Sequence, residues 1–206
     1  MTNGMQAKER ILKAAQDLFY KKGYEQVTVR EIARKANCSH TSIYVYFYDK
    51  RKLLEELAKE PLELLIKEMN STLKNSSYSS KKQLLRISKI FVHFGLSYRN
   101  LYQAFMNFEA TRVDIPTTKW ELNETRLVLF DILKTAVSKN FLNWSDEKVT
   151  EFSRTIYYML HGMILTYIDV DERMIQIEKR VFPIIEQSIN YLMMGAMVDE
   201  NSQGIS

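Results

Sequence analysis

Apolar positions recur at intervals of three and four along nearly the whole chain, the period of helices with one buried face. Over residues 6–22 they are Ile11, Ala14, Ala15, Leu18 and Phe19, and Gly23 follows where a helix C-terminus wants a residue free to turn left-handed. In "VTVREIARKANC", Thr28 and Glu31 have the T-x-x-E spacing of a capping box. Val29, Ile32, Ala33 and Ala36 then make a short apolar face, and Asn37 can end the helix. The next stretch, "SIYVYF", has the β-branched and aromatic composition of a strand. It has neither a hairpin turn nor a partner run nearby, and an isolated strand is unstable. Ser39 is a good N-cap, and Ile43 and Phe47 lie four apart, so a third helix over 39–47 accounts for it better. Asp49 caps a fourth helix that opens at Lys50.

The pattern continues without strands. Pro61 should kink or break the fourth helix near Glu60, and "NSTLKNSSYSSKK" reads as a loop. Ser80 and Gln83 have capping-box spacing and open a helix to about Ser97. A shorter helix spans 100–112, and Pro116 and Thr118 introduce a longer one ending near Phe141. Ser145 or Asp146 starts another, with Phe152, Ile156, Met159, Met163 and Tyr167 on one face. Asp171 opens the last, with Ile177, Val181, Phe182, Ile185, Ile189 and Leu192. The fold class expected is all-α, with about nine helices: a three-helix head over 1–50 and a helical body over 51–200.

Charge divides the chain in the same place. The net charge is +4, and the first 60 residues, with 12 Lys/Arg against 8 Asp/Glu, carry all of it. A basic head on a neutral body suggests that one part meets a polyanion. The single Cys excludes an internal disulfide and fits a reducing compartment. No apolar run reaches membrane-spanning length and no signal-peptide core precedes the first helix, so the expectation is a cytoplasmic protein with no membrane contact.

Two short helices over 29–36 and 39–47, joined by a tight turn, make a helix-turn-helix, whose second helix enters the major groove of DNA. The outward side of that helix carries Ser39, His40, Thr41, Tyr44 and Tyr46, groups able to hydrogen-bond phosphates and bases. The segment "RILKAAQDLFYKKGYEQVTVREIARKANCSHTSIYVYFYDKRKLL" closely resembles the DNA-binding segment of TetR/AcrR-family transcriptional repressors. The resemblance implies that Thr28 and Lys50 hold phosphates and that Ser39, His40 and Thr41 enter the groove. It also implies that Tyr44 and Tyr46 touch the DNA backbone. Asn37 stands where the family often has Gly, Cys38 where Val is usual, His40 where Lys or Arg is frequent and Thr41 where Gly is frequent. The last two differences fall among the base-reading positions, so the operator does not follow by analogy.

The resemblance also implies a homodimer through the last two helices, about 145–195, on a palindromic double-stranded operator. It implies a small-molecule effector in the body as well. The aromatic run "FVHFGLSYRNLYQAFMNFEAT" supplies an apolar lining. Candidate effector contacts are Phe94, Tyr98, Tyr102, Phe105, Glu109, Trp120, Glu124, Tyr158 and His161. Enzyme motifs are missing: there is no Gly-rich phosphate loop, G-x-S-x-G or H-E-x-x-H, and the three His share no ligand spacing. No catalytic residue, metal or cofactor is expected. The functional expectation is a repressor released from its operator by a small molecule; the alternative is a DNA-binding protein on the same scaffold without such control.

Overall fold

The computed structural model describes residues 2–107, 112–116 and 121–203. The expected contacts Glu109 and Trp120 lie outside the described residues, as does Thr118. Among the described residues there are nine helices and no strand. They are α1 (Thr2–Lys22), α2 (Val29–Lys35), α3 (His40–Phe47), α4 (Lys50–Lys74) and α5 (Ser80–Ser97), followed by α6 (Arg99–Asn107), α7 (Glu121–Ser138), α8 (Asp146–Tyr167) and α9 (Met174–Gln203). None is long and apolar enough to cross a membrane.

The chain divides into two compact units, Met1–Leu64 with Tyr98–Thr125, and Leu65–Ser97 with Arg126–Ser206. In the first unit α1 packs on α2 and α6, and α2 packs on α3. Ile11, Ala15, Ile32 and Ile43 are completely buried there, together with Tyr102 and Phe105 of α6. In the second unit α5 packs on both α8 and α9, which also pack on each other. The α5–α8 crossing is close because of Gly95: a Cβ there would lie 2.6 Å from Ile164 Cδ1 and 2.9 Å from its Cγ2.

Three sequence expectations are corrected. Pro61 neither breaks nor ends its helix, since α4 runs unbroken through it. The missing N–H and the ring clash cost about 3 kcal/mol, but Leu53, Leu54, Ala58, Leu62, Leu65 and Met69 along α4 are all buried. Burying each such leucine or methionine contributes roughly 1.5–3 kcal/mol, which outweighs one proline. The Ser/Asn-rich loop is shorter than its composition suggests, because α4 continues to Lys74. The cap of α5 is Ser79, whose Oγ accepts from the Lys82 backbone N–H at 3.3 Å. Gln83 does not close a box with Ser80. Its amide donates to the Asn75 carbonyl at 2.9 Å and accepts from Lys139 Nζ at 3.1 Å.

The buried stripe of α8 also differs from the expected one. Val149, Ser153, Ile156, Tyr157, Leu160 and Ile164 face inward, while Phe152, Met159, Met163 and Tyr167 are half-buried. Ser153 can be buried because its hydroxyl donates to the Val149 carbonyl at 2.6 Å. Phe152 instead packs against Phe141 and Trp144, whose rings stack 3.8 Å apart.

Candidate nucleic-acid interface

The candidate reading helix is held by its two ends and its inner face. Before it, α2 closes with Asn37 left-handed at φ 51°. The Cys38 N–H bonds the Ala33 carbonyl at 3.0 Å and the Asn37 N–H bonds Arg34 at 3.3 Å. That is the Schellman pattern, and Asn accepts the left-handed conformation better than most residues. Ser39 then caps α3 by accepting from the Ser42 N–H at 3.1 Å. Ile43 and Phe47 anchor the helix, 0% and 5% exposed. Thr41, Tyr44, Val45 and Tyr46 face outward. The strand-like composition of "SIYVYF" is therefore overridden by capping and by two anchors spaced four apart.

The outward groups restrain one another. The His40 ring meets Tyr44 edge-on at 4.9 Å. Ser39 Oγ lies 2.7 Å from Ser42 Oγ, so the Ser39 hydroxyl is already part of the cap. Thr28 closes the expected capping box: the Glu31 N–H donates to Thr28 Oγ1 at 3.2 Å, and the Glu31 carboxylate accepts the Thr28 N–H at 2.9 Å. The Thr28 hydroxyl also donates to that carboxylate at 3.0 Å. Lys22 Nζ reaches the same carboxylate at 2.7 Å. Its hydrogen bond and those from Thr28 pull the Glu31 carboxyl down to about 2, so the box stays ionised at any ordinary pH.

Lys50 is placed differently from a lysine reaching into solvent. Its ammonium donates to the carbonyls of Tyr24 at 3.0 Å and Val27 at 3.1 Å, in the turn between α1 and α2. It also sits 4.1 Å from the centroid of the Tyr24 ring. Two of its three protons are taken, leaving one for an outside acceptor. The outward face of α3 thus presents hydroxyls and an imidazole around Val45.

This head has relatives. Residues 11–57 match the family model described as bacterial regulatory proteins, tetR family. The chain is 30% identical over 142 residues to the fatty acid metabolism regulator protein of Bacillus subtilis strain 168, an alignment covering 69% of this chain and 66% of that one. The chain belongs to the TetR family. Its fold agrees with that of solved regulators. A transcriptional regulator from Aquifex aeolicus VF5 superposes with a TM-score of 0.63 at 19% identity, covering 90% of this chain and 99% of the other. The Bacillus subtilis regulator FadR, solved in complex with stearoyl-CoA, gives 0.62 at 20% identity, with 86% and 96% covered.

In this TetR-family chain the expected effector contacts fall in different surroundings. In the first unit Tyr102 and Phe105 are fully buried, whereas Tyr98 and Glu124 are exposed. In the second unit Phe94 is buried and Tyr158 is half exposed. The aromatic cluster of that unit centres instead on Tyr157, which meets Phe91, Phe130, Tyr158 and the parallel His161 ring within about 6 Å. Burial pushes the Tyr157 hydroxyl up to about 12 and the His161 imidazole below its usual value. Sequence reading missed Asn123, in the first unit. It is 2% exposed, and neither end of its amide has a hydrogen-bond partner. Buried polar groups in native proteins are nearly always paired; a lone Asn in an amphipathic helix gives no sequence signal of this.

Proposed function

We propose that the protein is a homodimeric, sequence-specific DNA-binding regulator, a repressor released from a palindromic operator by a small molecule. The observation carrying this reading is the partition of α3. Ile43 and Phe47 are buried, leaving Thr41, Tyr44 and Tyr46 facing out in a head that matches the tetR-family model. In this reading Ser39, His40 and Thr41 approach base edges at the N-terminal end of α3. Tyr44, Tyr46, Thr28 and the remaining proton of Lys50 hold the phosphate backbone. Thr28 must turn its hydroxyl away from Glu31 to donate outward.

Dimerisation through α8 and α9 is supported by what those helices leave uncovered. Leu165 is 39% exposed, and Ile184, Tyr191, Met194 and Val198 are more exposed still. Gly162 and Gly195 have open space where a Cβ would stand, so a second helix can approach closely. Two heads related by such a dimer would enter major grooves about 34–36 Å apart.

The effector is proposed to be a molecule with a long apolar part and a polar group, by analogy with the stearoyl-CoA complex of FadR. The unsatisfied amide of Asn123 gives such a polar group a partner. The reading without small-molecule control draws on one observation in the second unit. The void bounded by Met69, Phe91, Leu133, Tyr157 and Leu160 has a volume of only about 10 Å³, which admits no ligand as it stands.

Selection of duplexes from a random pool by the purified chain tests the DNA reading. A palindromic consensus is expected, and recovery of no preferred sequence would overturn it. Release of the selected duplex by acyl-CoAs of graded length, measured by fluorescence anisotropy, separates the two forms of the reading.

A further inference from the structure

The residue immediately after the candidate reading helix is held in a conformation its side chain does not favour. Tyr48 has φ 63° and ψ −51°. The Asp49 N–H reaches back over it to the Phe47 carbonyl at 2.6 Å, closing a γ-turn with a positive central φ. That form of the turn is rare and strained, and a bulky residue at positive φ is a genuine outlier. The turn itself has a purpose: it delivers Asp49 to cap α4, its Oδ1 accepting the Lys52 N–H at 2.7 Å. Glycine would make the same turn without strain. The turn therefore does not explain why tyrosine stands there.

Nor does packing. Tyr48 is 79% exposed, and among the described residues its ring meets no other ring and its hydroxyl no partner. A strained backbone that carries an unpacked aromatic residue points to something outside the fold. The surroundings say what. Tyr44 and Tyr46 stand exposed on the preceding turn, and Lys50, Arg51 and Lys52 follow directly. Of the acids nearby, Asp49 is occupied as the cap and Glu55 pairs with Lys52 at 2.7 Å. An exposed aromatic hydroxyl beside this basic start of α4, where Lys50 keeps one proton for an outside acceptor, suits an anionic partner.

We propose that Tyr48 is a further contact of the DNA interface, its hydroxyl donating to a backbone phosphate at the rim of the groove that α3 enters. This rests on the DNA-binding reading above. The contact is neutral on the protein side, so it adds affinity without releasing an extra counterion, and it reads no base.

The test uses the full chain and duplexes that the wild-type chain itself selects from a random pool. Tyr48→Phe should weaken binding roughly three- to tenfold, the range of one hydrogen bond. The slope of log affinity against log salt and the selected consensus should both stay as in wild type. Tyr48→Gly should melt at a higher temperature and bind at least as weakly as Tyr48→Phe. Wild-type affinity in both variants would overturn the proposal while leaving the DNA reading intact. A changed consensus for Tyr48→Phe would overturn it too, making Tyr48 a base reader. Failure of the wild-type chain to bind any duplex would sink both.

Discussion

The ammonium of Lys50 lies over the ring of Tyr24 and donates to that residue's own carbonyl, so one side chain ties the start of α4 to the turn between α1 and α2. A lysine expected only to meet phosphate is also a brace of the head. Lys50→Met keeps the stem and removes the charge. It should cost roughly 1.5–3 kcal/mol through the lost charged hydrogen bonds, read as a lower urea midpoint. If the third proton reaches phosphate, the salt slope of DNA binding also falls by about 1. A lower midpoint with an unchanged slope would leave Lys50 as a brace alone.

Gly95 should tolerate nothing larger. Alanine gains about 1 kcal/mol of helix propensity, but its methyl would press on Ile164, which is fully buried. Overpacking costs about 1–3 kcal/mol, so Gly95→Ala should lower the melting temperature. Pairing it with Ile164→Val should cost less than the two single changes added together. Strict additivity would mean the close approach is not the cause.

Asn123→Leu should raise stability, because it removes an amide that is buried without partners. The same change should abolish release of DNA by an effector while leaving DNA affinity alone. A variant that is destabilised and still responds would remove Asn123 from the effector site.

Tyr191→Glu together with Met194→Glu places charge on the uncovered face of α9. Sedimentation should show monomers, and operator affinity should fall more than a hundredfold with loss of the second head. Dimers unchanged in size would place the interface elsewhere.

Alkali should unfold the protein in a defined window. Burial raises the Tyr24 and Tyr157 hydroxyls from 10.0 to about 12. Between those values the folded chain keeps protons that the unfolded chain has lost, so stability falls as pH rises from about 10 towards 12 and is unaffected below. Tyr157→Phe should flatten part of that fall in urea titrations. An undiminished slope would assign it to other groups.

What the sequence made legible was local. Ser39, Thr28 with Glu31, and Ser145 all cap the helices expected of them, because a cap is decided within four residues. Ile43 and Phe47 were readable as anchors by spacing alone. The misreadings came from burial and hydrogen bonding that a hydrophobicity pattern does not carry. Pro61 looks like a breaker until the buried leucines on both sides of it are counted. The stripe of α8 depends on Ser153, which a hydrophobicity pattern places outside and a hydrogen bond to Val149 lets in. Lys50 is indistinguishable by sequence from a free cation; only the fold brings it to carbonyls 26 and 23 residues away.

Asn37 and Tyr48, the two non-glycine residues with positive φ among the described residues, stand at either end of α3. Between these fixed joints the Ser39 cap and the anchors Ile43 and Phe47 seat the helix. The outward positions, Thr41, Tyr44, Val45 and Tyr46, form an exchangeable cartridge, whose side chains can change while the frame around it goes on folding as before.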